Sequence, residues 1–187
     1  MRFAVLMFLG MGAASAYLTR YCLAVANTTM QKDLDISEEQ MGWVFAIFSA
    51  GYFFFQIPSG WLGNRIGTRT SYPLISTLWS VLTVWSSLVW SWVPLLASRA
   101  AFGAAQAGMV PITAKVINDW FSVRLRGICS GVIGASMSIG SVITMKLTAW
   151  LIGSGGLGIH WRVVFRLYSI VGIVWAILFY WFFRTKP

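Results

Sequence analysis

Residues 51–70 read GYFFFQIPSGWLGNRIGTRT. An aromatic, apolar run gives way to Gly60, Gly63 and Gly67, one asparagine, and Arg65 and Arg69, and a second apolar run follows. Glycines permit a tight reversal and a close approach of helices, and arginines hold such a reversal at the polar surface of a membrane. The stretch therefore reads as the link between two membrane-crossing helices. Gly63 and Gly67 taken alone form a G-x-x-x-G pair that packing would explain equally well. Composition agrees with the membrane reading. With 58% hydrophobic residues, 10% charged residues and a mean hydropathy of +0.73, the 187-residue chain has too little charged surface for a soluble domain.

Crossing about 30 Å of hydrocarbon takes roughly 20 helical residues. Six runs qualify, near 3–26, 39–62, 71–92, 94–117, 128–152 and 163–183, which predicts an all-α polytopic protein with one six-helix bundle over residues 1–187. Ser37 with Gln40 three residues on is a capping-box pattern, and Glu38 and Glu39 suit a helix N-terminus. Pro94 suits the first turn of the fourth helix. The start, MRFAVLMFLGMGAASA, also has the form of a secretory signal peptide, but its apolar character continues to Ala26, which favours a retained helix. Cys22 and Cys129 fall inside apolar runs and read as small core residues, with no disulfide framework or metal site.

Charge placement gives the orientation. With the N-terminus cytoplasmic, the inner flanks hold Arg2, Arg65, Arg69, Lys115, Arg124, Arg126, Arg184 and Lys186, and the outer loops hold only Lys32 and Arg162. That bias obeys the positive-inside rule and puts both termini in the cytoplasm of a cell (inner or plasma) membrane. Trp43, Trp90, Trp92, Trp150 and Trp161 fall near the outer edge, and Trp61, Trp120 and Trp181 near the inner one, as an interfacial belt predicts. The net charge of +9 does not point to nucleic acid, because the basic residues are scattered and form no patch with aromatic residues.

The opening stretch resembles the second-to-third helix junction of the major facilitator superfamily, whose loop runs roughly G-x-L-x-D-R-x-G-x-R. Gly60, Leu62, Arg65, Gly67 and Arg69 match, and Asn64 stands where aspartate is usual, so Gly60, Asn64, Arg65, Gly67 and Arg69 are the expected conformational loop. YLTRYCLAVA (17–26) resembles the first helix of the anion:cation symporter branch, matching at Tyr17, Arg20, Leu23, Val25 and Ala26, with Thr19 in place of aspartate. The second helix has that branch's Tyr52 and Gln56. SRAAFGAAQAGMVP (98–111) resembles its fourth helix at Arg99, Gly103, Ala107, Gly108 and Pro111, with Gln106 at a position usually held by glutamate. DWFSVRLRGICSG (119–131) and HWRVVF (160–165) extend the likeness along the chain. The resemblance implies the N-terminal six-helix half of a twelve-helix transporter of organic anions such as sugar acids, hexuronates or acidic amino acids, built as a 3+3 inverted repeat. Glycine-rich turns at 60–67 and 153–158 fit that symmetry.

The residues point the same way without the family. Four cations lie within spans, Arg20, Arg99, Lys146 and Arg166, and none of the five acids does. Intramembrane cations face a cavity or a partner, and a bound carboxylate is the natural partner for an arginine fork. Lys146 and Arg166 sit near helix ends, where snorkelling explains them, whereas Arg20 and Arg99 lie deeper. Arg99, Gly103 and Gln106 share one helix face, as do Tyr52 and Gln56, and buried interhelical hydrogen bonding is the structural alternative for both stripes. Gly127, Gly131 and Ala135, with Gly134, Ser138 and Gly140 nearby, read as a packing face on the fifth helix.

The expected substrate site is Arg20, Tyr52, Gln56, Arg99 and Gln106, with no cofactor and no metal. A single half supplies one wall of such a site, so the expected partners are a small organic anion, the lipid bilayer and a second six-helix half, either a separate chain or a second copy. The alternative is a truncated or non-transporting assembly partner that keeps the half-fold. An enzyme is not expected, because the single histidine, His160, lies in an outer loop and no span offers a nucleophile with a base.

Overall fold

Ser37 does what its sequence context requires. Its hydroxyl accepts from the Gln40 N–H at 3.2 Å, while the Gln40 side chain accepts from the Ser37 N–H at 3.0 Å. That capping box opens the second helix of the computed structural model, which describes residues 2–153 and 155–184. Lys186 and Ser154, within two of the predicted features, lie outside the described residues. Every regular element among the described residues is an α-helix: α1 (Arg2–Leu34), α2 (Glu38–Ile66), α3 (Thr68–Leu88), α4 (Trp92–Gln106), α5 (Met109–Trp120), α6 (Val123–Ile152) and α7 (Trp161–Phe182).

The fourth predicted span is thus two helices, α4 and α5, parted at Ala107 and Gly108. Pro111 is the cause. It has no N–H for the Ala107 carbonyl four residues back, and its ring crowds that oxygen. The ladder reaches the Ala107 N–H, which donates to Gly103 at 3.0 Å, and resumes where Ile112 donates to Gly108 at 3.1 Å. Taken as one span, Trp92–Trp120 joins α1, α2, α6 and α7 as the five stretches long and apolar enough to cross a membrane.

The remaining helix, α3, has the length but not the oiliness, with 21 residues. Ser71, Ser76, Ser80, Thr83, Ser86 and Ser87 are all buried along it. Several cap their own polarity on backbone carbonyls: Thr83 donates to Trp79 at 2.8 Å and Ser76 donates across to Gly172 of α7 at 3.2 Å. Polarity is tolerated because protein, not lipid, covers that face.

Three helix pairs pack most closely, α2 with α4, α1 with α6, and α3 with α7. Small residues decide each approach. A Cβ on Gly51 would stand 2.5 Å from the Ala100 carbonyl, one on Gly140 would stand 2.8 Å from Ala14 backbone, and one on Gly172 would collide with Ser80. The rest of the predicted glycine face on α6 is different. Among the described residues, a Cβ on Gly127, Gly131 or Gly134 would meet nothing within 4 Å, whereas Gly140 is packed against α1.

At one end of the bundle the predicted glycine-rich turn shrinks to one residue. Gly60, Asn64 and Arg65 belong to the last turns of α2, Arg69 already belongs to α3, and Gly67 alone makes the reversal at φ 78°, a left-handed value that glycine accommodates. Gly60 and Gly63 serve α5 instead, since their Cβ positions fall 3.2 Å from Pro111 and 2.7 Å from Ile112. Arg69 donates to the Tyr180 carbonyl at 3.3 Å, and Arg65 lies 5.1 Å from the Trp61 ring. Asn64 is exposed.

At the other end Asp33, in the last turn of α1, accepts from Trp161 Nε1 at 3.0 Å and from Arg162 at 3.1 Å. Arg162 also donates to the Ser87 and Val89 carbonyls at 3.1 and 2.6 Å, tying α1, α3 and α7 together. Trp161 is therefore buried and hydrogen-bonded, not part of an interfacial belt, and Trp120 is buried against Phe183. Trp43, Trp61, Trp90, Trp150 and Trp181 are exposed, as belt residues are. Cys22 and Cys129 are free and buried.

Candidate functional site

Arg99 is the eighth residue of α4, and its side chain is directed inward by the packing of α4 on α2. Its residue exposure is only 2%. Its Nη2 lies 3.4 Å from the Arg20 carbonyl of α1, while Nε and Nη1 have no hydrogen-bond partner. The guanidinium stands 4.5 Å from the Phe102 ring and 5.6 Å from the Phe48 ring. Arg20 itself is half-buried. Its guanidinium lies 4.6 Å from the same Phe48 ring, 5.5 Å from Tyr52 and 5.6 Å from Tyr17. Aromatic faces attract both cations but make no use of in-plane N–H groups, and on Arg99 the Nε and Nη1 groups stay unpartnered.

The two arginines open onto one cleft of ≈ 220 Å³, lined also by Tyr21, Phe45, Phe48 and Ser49. Two positive charges and the unpartnered donors of Arg99 in one small recess can bind a small anion.

The other predicted residues divide. Tyr52 belongs to this cluster through its ring over Arg20. Gln56, one turn further along α2, lines a separate depression with Phe53, Ile57, Gly60, Trp61 and Pro111. Gln106 is 1% exposed and donates from Nε2 to the Ala16 carbonyl of α1 at 2.9 Å. That oxygen also accepts from Thr19 Oγ1 at 3.0 Å, so the two positions where the family resemblance expects acids meet at one α1 carbonyl as neutral donors. Gly103 admits the α2 backbone at Phe48, so the approach it permits is a helix and not a substrate. Lys146 and Arg166 are exposed, with Arg166 donating to Ser87 Oγ at 3.2 Å, as end-of-span cations should be.

Sequence reasoning missed Phe48, Tyr21 and Ser49. The signal for Phe48 was present, since it lies four residues before Tyr52 on the same helical face.

Comparison with known proteins bears on the whole chain. The family model described as Major Facilitator Superfamily matches residues 9–187. A galacturonate transporter of Dickeya chrysanthemi is 30% identical over 173 residues, covering 92% of this chain and 49% of that protein. A hexuronate transporter of Escherichia coli (strain K12) is 30% identical over 184 residues, covering 98% and 42%. A probable L-galactonate transporter of the same strain is 32% identical over 181 residues, covering 97% and 39%. The chain thus spans less than half the length of these relatives.

Among solved structures, a bacterial homolog of the human lysosomal transporter Spinster, inward-facing and occupied, superposes with a TM-score of 0.84 at 24% identity over all of this chain and 45% of that one. The POT family transporter PepTSo gives 0.74 at 18% identity. Since the family match runs from the first helix through the last, this multi-pass membrane protein belongs to the Major Facilitator Superfamily.

Proposed function

We propose that this chain carries small organic anions, sugar acids or related carboxylates, across the cell membrane by alternating access, as the N-terminal six-helix half of a transporter. Arg99 carries the reading: a buried guanidinium with two unpartnered nitrogens, beside a second arginine, facing a recess that holds no carboxylate of this chain. The names of the relatives favour the same substrate class, since they are transporters of galacturonate, hexuronates and L-galactonate. Arg20, Tyr52 and Arg99 hold the anion in this reading. Gln106 fixes α4 to α1, and Gln56 meets substrate only as it passes toward the Gly67 end.

Both termini face the cytoplasm, on the positive-inside bias of the flanking arginines. A 3+3 inverted repeat is supported by the packing. Exchanging the first three spans with the last three turns the α2–α4 pair into α6–α1 and leaves α3–α7 unchanged, and these are the closest pairs. The second half of the transporter docks partly on the small-residue face of α6, at Gly127, Gly131 and Gly134, where a Cβ would meet none of the described residues within 4 Å. That half is a separate chain or a second copy.

The test is uptake of labelled hexuronates, aldonates and acidic amino acids into vesicles, with and without a second six-helix chain. Replacing Arg20 or Arg99 with Gln should weaken anion binding at least tenfold, which is about 1.4 kcal/mol. Unchanged binding in both variants refutes the site, and binding without uptake in the assembled pair favours a non-transporting assembly partner.

A further inference from the structure

Among the described residues, Phe48 of α2 is the ring that meets both guanidiniums of the cleft, 4.6 Å from that of Arg20 and 5.6 Å from that of Arg99. The other ring contacts divide between the two cations. Tyr17 and Tyr52 serve Arg20, and Phe102 serves Arg99. Packing holds the shared ring in place. Phe48 is only 6% exposed, and the rings of Phe102 and Tyr52 stand 5.8 and 6.1 Å from it. Its backbone is pressed onto α4 at Gly103, where a Cβ would collide with the Phe48 carbonyl. Gly103 follows Arg99 by four residues, so the seat of the ring and one of the cations lie one turn apart on the same helix face.

Two like charges at one small cleft repel each other, and no carboxylate of this chain lines that cleft to hold them. A phenyl face attracts a guanidinium through its negative quadrupole without accepting an N–H bond, and Nε and Nη1 of Arg99 remain unpartnered beside it. A carboxylate in the same place would take those donors and cancel the charge. An aliphatic side chain would fill the space and attract neither cation. Resting on the anion-binding reading of this cleft, we infer that Phe48 is a positioning residue: it acts through the two arginines, holding both against one ring so that both present donors to one small anion.

The direction of the effect separates positioning from competition. If the ring and the anion competed for the same positive charge, a weaker ring would tighten anion binding. If the ring positions the two forks, a weaker ring lets them turn away, and binding falls. Phe48→Leu removes the face but also the volume. The deciding series therefore places phenylalanines with one, two and three ring fluorines at residue 48, which nearly keep the shape while draining charge from the face. Equilibrium binding of labelled galacturonate, galactonate and glutamate is measured in membranes holding the protein with its natural partners, at pH 7 and without an ion gradient. Arg20→Gln and Arg99→Gln are measured beside the series, and thermal unfolding without anion checks that each variant is folded.

The dissociation constant should rise with each fluorine, by about three- to tenfold at the third. The same series at Phe102, which meets Arg99 alone, should rise less steeply, and at Phe45, a cleft-lining ring outside these contacts, it should stay flat. A flat or falling series at Phe48, with binding lost in the arginine variants, overturns the role of Phe48 and leaves the anion site standing. An equal slope at Phe45 also overturns it, since the effect would then belong to the polarity of the cleft and not to the held cations. Unchanged binding in both arginine variants, or no binding of any of the three anions to the parent, overturns the anion site and this inference together.

Discussion

Replacing Arg99 with Met separates what this residue does for the fold from what it does for the anion. A buried polar side chain is ordinarily costly to remove, because its partners are stranded. Arg99 strands almost nothing. Its one hydrogen bond, to the Arg20 carbonyl, is long at 3.4 Å and contributes at most about 1 kcal/mol. Its two ring contacts contribute about 0.5–2 kcal/mol each. Against these stand two unsatisfied nitrogens at about 1–3 kcal/mol each, and an insertion cost of about 2.5–3.5 kcal/mol for a cation at a helix centre. Methionine has similar length, fills irregular space and brings no charge. The Arg99→Met protein should therefore unfold no more easily than the parent, to within about 1 kcal/mol, and balance of these terms favours a gain. Saturating anion should separate the two. At 100 times its dissociation constant an anion raises the parent's stability by about 2.7 kcal/mol and leaves the variant unchanged. Thermal unfolding in detergent, followed by tryptophan fluorescence with and without ligand, reads both quantities. A loss above about 3 kcal/mol without ligand, or equal stabilisation of both proteins by the anion, would refute the reasoning.

Two glycine substitutions make a matched pair: Gly103→Ala drives a methyl into the Phe48 carbonyl and should cost about 1–3 kcal/mol, whereas Gly131→Ala meets open space and should gain up to about 1 kcal/mol of helix propensity, both read by thermal unfolding. Asp33→Asn weakens the ties to Trp161 and Arg162 at a partly solvated site, so the expected loss is about 0.5–1 kcal/mol and should shrink in high salt. Proton-driven uptake, if the assembled transporter shows it, should draw on carboxylates outside this chain's spans. Accumulation driven by a pH gradient at fixed membrane potential should vanish when the partner's carboxylates are neutralised, and its survival would contradict the prediction.

Much of this architecture is legible in the sequence because lipid imposes it. Five spans follow from long apolar runs, and the start of α2 follows from Ser37 and Gln40, a local hydrogen-bonding pattern that needs no distant partner. Legibility fails where tertiary contact replaces local chemistry. Nothing around Gly127, Gly131 and Gly134 tells which side of α6 the α1 backbone will cover, and α1 leaves these three glycines open. Trp161 is read as an interfacial anchor until Asp33, 128 residues away, accepts its N–H. At the site, Arg20 and Arg99 are conspicuous because a cation in an apolar run demands a partner, while Phe48 is one aromatic residue among many until both guanidiniums are seen to share its ring. Gln56 shows the reverse error, since a shared helical face with Tyr52 does not ensure a shared cavity one turn on.

The Ala16 carbonyl joins these observations. It accepts from Thr19 of its own helix and from Gln106 of α4, each of which brings a hydrogen that an ionised carboxylate lacks. Neutrality at residues 19 and 106 and the tie between α1 and α4 are therefore one property of the fold. Ala16 lies one turn before Arg20 on α1, and Gln106 lies two turns beyond Arg99 on α4, so the two helices that carry the guanidiniums are fastened close to the cleft. A second tie, from Arg99 to the Arg20 carbonyl, lies at the cleft itself. The approach of α1 and α4 beside the cleft is thus supported by hydrogen bonds within this chain. Preorganisation of that kind lowers the ordering cost of binding at the cleft, because neither helix must move to meet a ligand.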